Sequence, residues 1–151
     1  MRVEYVCGNG ETLMRELMPR LIFLAGAGQL CILIASALVP FQLKWKTELA
    51  VLSRLHRQMY WVYGGYVVLA IAAFGLISLF NARELAGGSG LARWICGYNA
   101  VFWGIRLALQ WIFDVKEHLS TWWLRLGYYT LTILFAGFTL LYGFAALRPI
   151  E

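Results

Sequence analysis

Long apolar stretches separated by short polar connections dominate the pattern of this chain. Four of them, at about 21–43, 58–82, 92–113 and 122–147, each reach the roughly 20 residues that a helix needs to cross the hydrocarbon of a bilayer. The third differs from the others because Arg106 lies inside it. The pattern predicts an all-α fold, a single four-span transmembrane domain covering residues 1–151. Its three short connections favour an up-down-up-down four-helix bundle.

Breaks in this pattern predict where the helices begin and end. Gly8 to Gly10 indicate a turn in the polar N-terminal segment, Pro19 suits the first turn of span one, and Pro40 should close that span. We expect an interfacial helix over 44–57 that continues into span two, and a flexible glycine-containing connection over 83–93. Small residues in the spans should allow close helix approach; they are Gly65, Ala72, Gly75, Gly104 and Gly137.

Composition supports a membrane protein. Hydrophobic residues make up 61% of the chain and charged residues only 14%, whereas charged residues are about 25% of a typical soluble protein. The net charge of +5 resides in connections, where membrane topology and anionic head groups explain it, and no basic groove for nucleic acid is indicated. We expect the lipid bilayer as the main partner, with a membrane protein or a second copy of the chain as a further one.

Orientation depends on the distribution of lysine and arginine, which is equal between the two sides. The density of basic residues in the first connection favours placing that connection in the cytoplasm and both termini outside, whereas Arg15 and Arg20 argue for the opposite. Cys7 and Cys96 should lie on the same side, so a disulfide between them is possible, although two free thiols are expected.

Polar side chains of span three recur at helical spacing and therefore share one face. Asn99, Trp103, Arg106 and Gln110 are four, three and four residues apart. Span four has a hydroxyl line that should meet this face; it consists of Tyr128, Thr132, Thr139 and Tyr142. Gln29, Asn99 and Thr139 should form one interhelical hydrogen-bond cluster, for which a structural role is favoured.

Arg106 is the strongest functional candidate, because a charge at the centre of a membrane helix costs about 2.5–3.5 kcal/mol. It could extend to the nearer interface, pair with Asp114 to lock two helices, or bind a lipid phosphate, a carboxylate or a quinone oxygen. Other polar or aromatic candidates for such a ligand site adjoin the same membrane face. Together with Trp103 and Gln110, these candidates are Arg57, Gln58, Trp61 and Asp114.

Catalysis and cofactor binding have weaker signals. His56 and His118 adjoin the same membrane face and could ligate haem or a metal, but neither lies inside a span and no ligand motif accompanies them. No cofactor is therefore predicted, with haem or quinone as alternatives. The leading hypothesis is a non-catalytic accessory subunit or a lipid- or quinone-binding protein, and the alternative is a small membrane enzyme or redox subunit that uses the two histidines.

Two strings of this sequence carry a resemblance. They are Arg57-Gln58-Met59-Tyr60-Trp61-Val62-Tyr63-Gly64 and Phe102-Trp103-Gly104-Ile105-Arg106-Leu107-Ala108-Leu109-Gln110, the latter followed by Phe113-Asp114. Together they resemble a group of small four-span bacterial membrane proteins. The resemblance implies a multi-pass protein of the bacterial inner membrane and a compact four-helix bundle, and it implies no substrate, cofactor or catalytic residue.

Overall fold

The described part of the chain is entirely helical apart from its connections. The computed structural model describes residues 4–42, 53–112 and 122–148, and it contains no strand within them. The helices are α1 (Glu4–Gln42), α2 (Arg54–Phe80), α3 (Ala82–Ala86), α4 (Gly90–Ile112) and α5 (Trp122–Leu147). The predicted all-α class is confirmed for these residues.

Three helices are long and apolar enough to cross a membrane. They provide the segments Leu13–Ser36, Arg54–Phe80 and Arg125–Leu147. Helix α4 has 23 residues, which is sufficient length, but its arginines and amide side chains lower its mean hydropathy. The composition of the described helices therefore supports a membrane protein with three candidate spans, and the fourth span stays a prediction.

The turn predicted at Gly8 to Gly10 is wrong, because α1 is continuous from Glu4 to Gln42. Pro19 lies well inside this helix, and Pro40 does not end it. An internal glycine costs a helix only about 1 kcal/mol relative to alanine, and extending an existing helix is easier than starting a new one. The helix expected over 44–57 falls mostly outside the described residues, and α2 begins at Arg54.

The connection between α2 and α4 is more ordered than the flexible loop predicted from its glycines. Burial of Ala82 and Leu85, at 8% and 3% exposure, fixes the short helix α3. The Gly87 amide closes α3 by donating to the carbonyl oxygens of Arg83 at 2.9 Å and Glu84 at 3.2 Å. Gly88 then adopts a φ of 70°, a left-handed conformation that favours glycine.

The chain divides into two compact units, Met1–Ile22 with Asn81–Glu151 and Phe23–Phe80. In the first unit, α4 and α5 pack against each other along their lengths. The side chains buried most completely in this unit are Ile22, Cys96, Asn99, Trp103 and Tyr142.

The second unit brings the backbones of α1 and α2 close together at two glycines. A Cβ atom added at Gly26 would lie 2.9 Å from the Gly75 carbonyl oxygen and 2.9 Å from Ser78 Cβ. Ile71, Gly75 and Ser78 are the buried residues of α2, whereas its side chains from Arg54 to Leu69 are all exposed. Among the described residues, this close approach of the two backbones lies in the C-terminal part of α2.

Candidate functional site on α4 and α5

Gln110 joins α4 to α5 at one end of the helix pair. Its Nε2 donates to Thr132 Oγ1 at 2.9 Å and to the Tyr128 carbonyl oxygen at 3.1 Å. In return, the Tyr128 hydroxyl donates to the Gln110 carbonyl oxygen at 3.2 Å. The predicted meeting of the α4 polar face with the hydroxyl line of α5 is confirmed at these three residues.

Arg93 joins the same two helices at their other end. Its Nε donates to the Ala146 carbonyl oxygen at 2.9 Å, in the last turn of α5, where helix carbonyls lack intrahelical partners. Between the two ends, Gly104 lets Thr139 approach, since a Cβ atom at Gly104 would lie 3.5 Å from Thr139 Cγ2. The two helices are therefore antiparallel and in contact from end to end.

Trp103 is the centre of an aromatic cluster in this helix pair. The side chain is 0% exposed, and its ring stacks on Phe135 at a centroid distance of 5.1 Å and packs at a tilt on Phe138 at 5.1 Å. Phe102 makes an edge contact with it at 5.4 Å. The indole Nε1 is buried and has no hydrogen-bond partner in the described part of the chain. The structure therefore places the Trp103 side chain in the core of the α4–α5 pair.

Arg106 lies on the same helix with its side chain exposed. It makes no hydrogen bond or ion pair with any residue among those the structure describes. The residues of this polar face therefore differ in burial: Asn99 and Trp103 are buried, Gln110 is half-buried, and Arg106 is exposed among the described residues. Asp114, the expected partner, lies outside them.

The cluster expected from Gln29, Asn99 and Thr139 does not form around Thr139. The Thr139 hydroxyl donates to the Phe135 carbonyl oxygen at 2.8 Å within its own helix. Asn99 is buried in the first unit at 1% exposure, and Gln29 is buried in the second unit at 0% exposure. Each of these two residues also has an interaction partner of its own. Thr139 contributes packing at Gly104 rather than an interhelical hydrogen bond.

The candidates on α2 are exposed residues of the second unit. Arg57, Gln58 and Trp61 all lie in the N-terminal part of that helix. His56 is also exposed and shares a hydrogen bond of 2.6 Å between its Nδ1 and Ser53 Oγ. His118 and Asp114 lie outside the described residues, so the structure neither groups nor separates them from the α2 candidates.

The cysteines give no redox centre among the described side chains. Cys96 is a buried free thiol in α4 and Cys31 an exposed one in α1, while the Cys7 side chain is outside the described set. No group of three or more histidine, cysteine, aspartate or glutamate side chains that could hold a metal occurs in the described ranges.

Removing the amide of Gln110 should loosen the helix pair by a modest amount. We expect Gln110→Leu to lower the free energy of unfolding in detergent by about 1 kcal/mol, since interhelical hydrogen bonds in membranes contribute about 0.6 kcal/mol on average and at most about 1.7. Thr132→Val removes one of the two acceptors and should cost less. Unfolding titrations of the two single variants and the double variant give the coupling energy; additive costs would contradict a shared hydrogen bond.

Comparison with known proteins identifies no family for this chain. No protein-family model matches it, and no curated protein and no solved structure is significantly similar to it.

Proposed function

We propose that the chain is a four-span protein of the bacterial inner membrane, with both termini outside, that binds anionic lipid without catalysing a reaction. In this proposal α4 is the fourth span, held in the membrane by its hydrogen bonds to α5. The proposed ligand contact is Arg106, with Gln110 one turn further along the same helix.

The exposed guanidinium of Arg106 is the observation that carries this proposal. Arg106 is six residues before the end of α4 at Ile112, about 9 Å at 1.5 Å per residue. A long arginine side chain at that depth can extend along the helix surface to the head-group region. Its planar guanidinium can bind a phosphate through two parallel hydrogen bonds. Lipid phosphate therefore suits an exposed Arg106 better than a quinone held in an enclosed pocket.

Replacing Arg106 should reduce lipid binding with little loss of stability. We expect Arg106→Leu, purified from membranes in mild detergent, to retain roughly tenfold less anionic phospholipid than the wild type, about 1.4 kcal/mol of binding free energy. Arg106→Lys should retain part of the binding, because it keeps the charge but loses the fork of donors. Quantitative lipid analysis of the purified proteins, alongside thermal melting, makes the measurement.

The same experiment separates the competing roles. If Arg106 instead locks helices by pairing with Asp114, then Arg106→Leu and Asp114→Asn should both lower the melting temperature, and neither should change the retained lipid. Equal lipid retention in the wild type and Arg106→Leu would refute the proposed contact. A Soret absorbance band in the purified protein would favour the haem alternative at His56 and His118, and a retained quinone would favour that ligand.

A further inference from the structure

We propose a second anion site, at the opposite end of the α4–α5 pair from Arg106, in which Arg15, Arg83 and Arg148 bind the phosphate of an anionic phospholipid. The three residues line one surface pocket of about 300 Å³ within the first unit. The site is independent of Arg106 and extends the proposed function to the other face of the membrane.

The three arginines come from distant parts of the sequence and converge at helix ends. Arg15 lies near the start of the candidate span Leu13–Ser36, and Arg148 directly follows the candidate span Arg125–Leu147. Arg83 belongs to α3, just beyond the end of α2. The bond from Arg93 to Ala146 fixes this end of the pair, because it joins the beginning of α4 to the end of α5. All three side chains are thus placed at the level where a span meets the head groups.

The local structure around the pocket holds Arg83 in place. The carbonyl oxygen of Arg83 accepts the Gly87 amide at 2.9 Å, and the buried side chains of Ala82 and Leu85 flank it in α3. Gly87 and Gly88 themselves line the pocket, and the left-handed turn at Gly88 brings the chain around it. Arg83 on this five-residue helix therefore lines the same pocket as Arg15 and Arg148.

Charge in the described lining is entirely positive. No aspartate or glutamate lines the pocket among the residues that the structure describes, and Glu16 and Glu84, which follow Arg15 and Arg83 in sequence, are exposed outside it. Arg15 makes a further close interaction of its own. Three guanidinium groups that line one space favour an anion there, and phosphate oxygens match their donor geometry.

Size and surroundings favour a lipid head group as the source of the phosphate. A volume of about 300 Å³ is at the lower end of the range for small-molecule sites. The remaining lining includes Pro19 and Ala86, which offer apolar contact beside the arginines. Basic pockets between membrane helices at the interface are a recurrent way of binding anionic head groups. Free phosphate shares the recognition chemistry and is separated from lipid by the experiment.

The test measures lipid retention and competition in the full-length protein. The wild type, reconstituted in nanodiscs of phosphatidylcholine doped with phosphatidylglycerol, should enrich phosphatidylglycerol in native mass spectra after release. Each single arginine-to-glutamine change at the three positions should weaken that binding about tenfold. When all three changes are combined with Arg106→Leu, the enrichment of phosphatidylglycerol that remains in Arg106→Leu alone should be abolished. The matched control is Arg20→Gln, which removes the same charge from α1 at an exposed position outside the lining.

Three outcomes would overturn the inference. The first is equal binding of the two lipids by the wild type, a measurement that needs no variant to fold. The second is a loss in Arg20→Gln as large as in the three pocket variants, which would indicate unspecific attraction. The third is enrichment of phosphatidylglycerol by the triple arginine-to-glutamine variant that equals the enrichment by the wild type.

Further arms of the experiment separate the source of the phosphate and guard against misfolding. Displacement of phosphatidylglycerol by inorganic phosphate would support recognition of the phosphate group. Saturable binding of inorganic phosphate without any lipid enrichment would refute lipid as its source. Arginine-to-lysine changes at the three positions keep the charge if the glutamine variants fail to fold, and intermediate binding by them supports the inference.

Discussion

Trp103→Ala should lower the free energy of unfolding by about 3 kcal/mol. The indole is fully buried, and it contacts two aromatic rings of α5 at 5.1 Å. Truncating a buried tryptophan typically costs 3–5 kcal/mol through lost contacts and the cavity left behind. The lower end applies here because lipid is as apolar as the core, so the transfer component of that cost is small.

A second tryptophan of the same helix supplies the control. Trp111 is 76% exposed, and Trp111→Ala should change the stability by no more than about 0.5 kcal/mol. Reversible unfolding in mixed micelles, followed by near-ultraviolet circular dichroism, compares the two variants directly. Similar losses in both would contradict the aromatic cluster described around Trp103.

Gly26→Ala should destabilise the second unit by about 1–3 kcal/mol, the cost typical of overpacking. The added methyl group would lie 2.9 Å from the Gly75 carbonyl oxygen and 3.0 Å from the Leu79 amide nitrogen. Since these atoms belong to the backbone, the helices can relieve the contact only by moving apart. Thermal melting and crosslinking between α1 and α2 measure the two consequences.

Gly65→Ala is the matched control, and it should have the opposite sign. Beyond its own stretch of α2, no described residue has an atom within 4 Å of a Cβ added at Gly65. Alanine is favoured over glycine inside a helix by up to about 1 kcal/mol. Equal stabilisation by both substitutions would show that the close approach at Gly26 is not required for stability.

The sequence predicted three of the helices from their apolar runs and one interhelical contact from helical spacing. Long apolar runs placed α2, α4 and α5 near their observed bounds, and helical spacing brought Gln110 toward Tyr128 and Thr132. Spacing gives the direction of a side chain around its own helix. Spacing does not show whether a neighbouring helix packs over a given position along the helix axis. Asn99 and Arg106 therefore share a face but differ in burial.

Packing between apolar helices was harder to predict. Phe135 and Phe138 were not singled out, because a core phenylalanine and a lipid-facing one have the same sequence signature in a membrane helix. Small residues were an ambiguous guide as well. Gly75 and Gly104 lie at helix contacts, whereas Gly65 and Gly137 face open space, and Gly26 was missed.

The arginine pocket could not be derived from the sequence at all. Its three residues are separated by whole helices, and counting basic residues placed them only on one side of the membrane. Their convergence depends on the conformation of α3 and of Gly88. From the sequence, the three glycines of this connection predicted only a flexible segment.

The bonds at the two ends of the α4–α5 pair have a consequence for biosynthesis. Helix α4 is synthesised before α5 and is the less hydrophobic of the two helices. The oxygens that accept hydrogen bonds from Arg93 Nε and Gln110 Nε2 all belong to α5. Until that segment leaves the ribosome, both donors lack the oxygens they bind in the finished protein. In the four-span arrangement proposed above, the α4–α5 hairpin, rather than α4 alone, is therefore the smallest piece that can enter lipid with these groups satisfied.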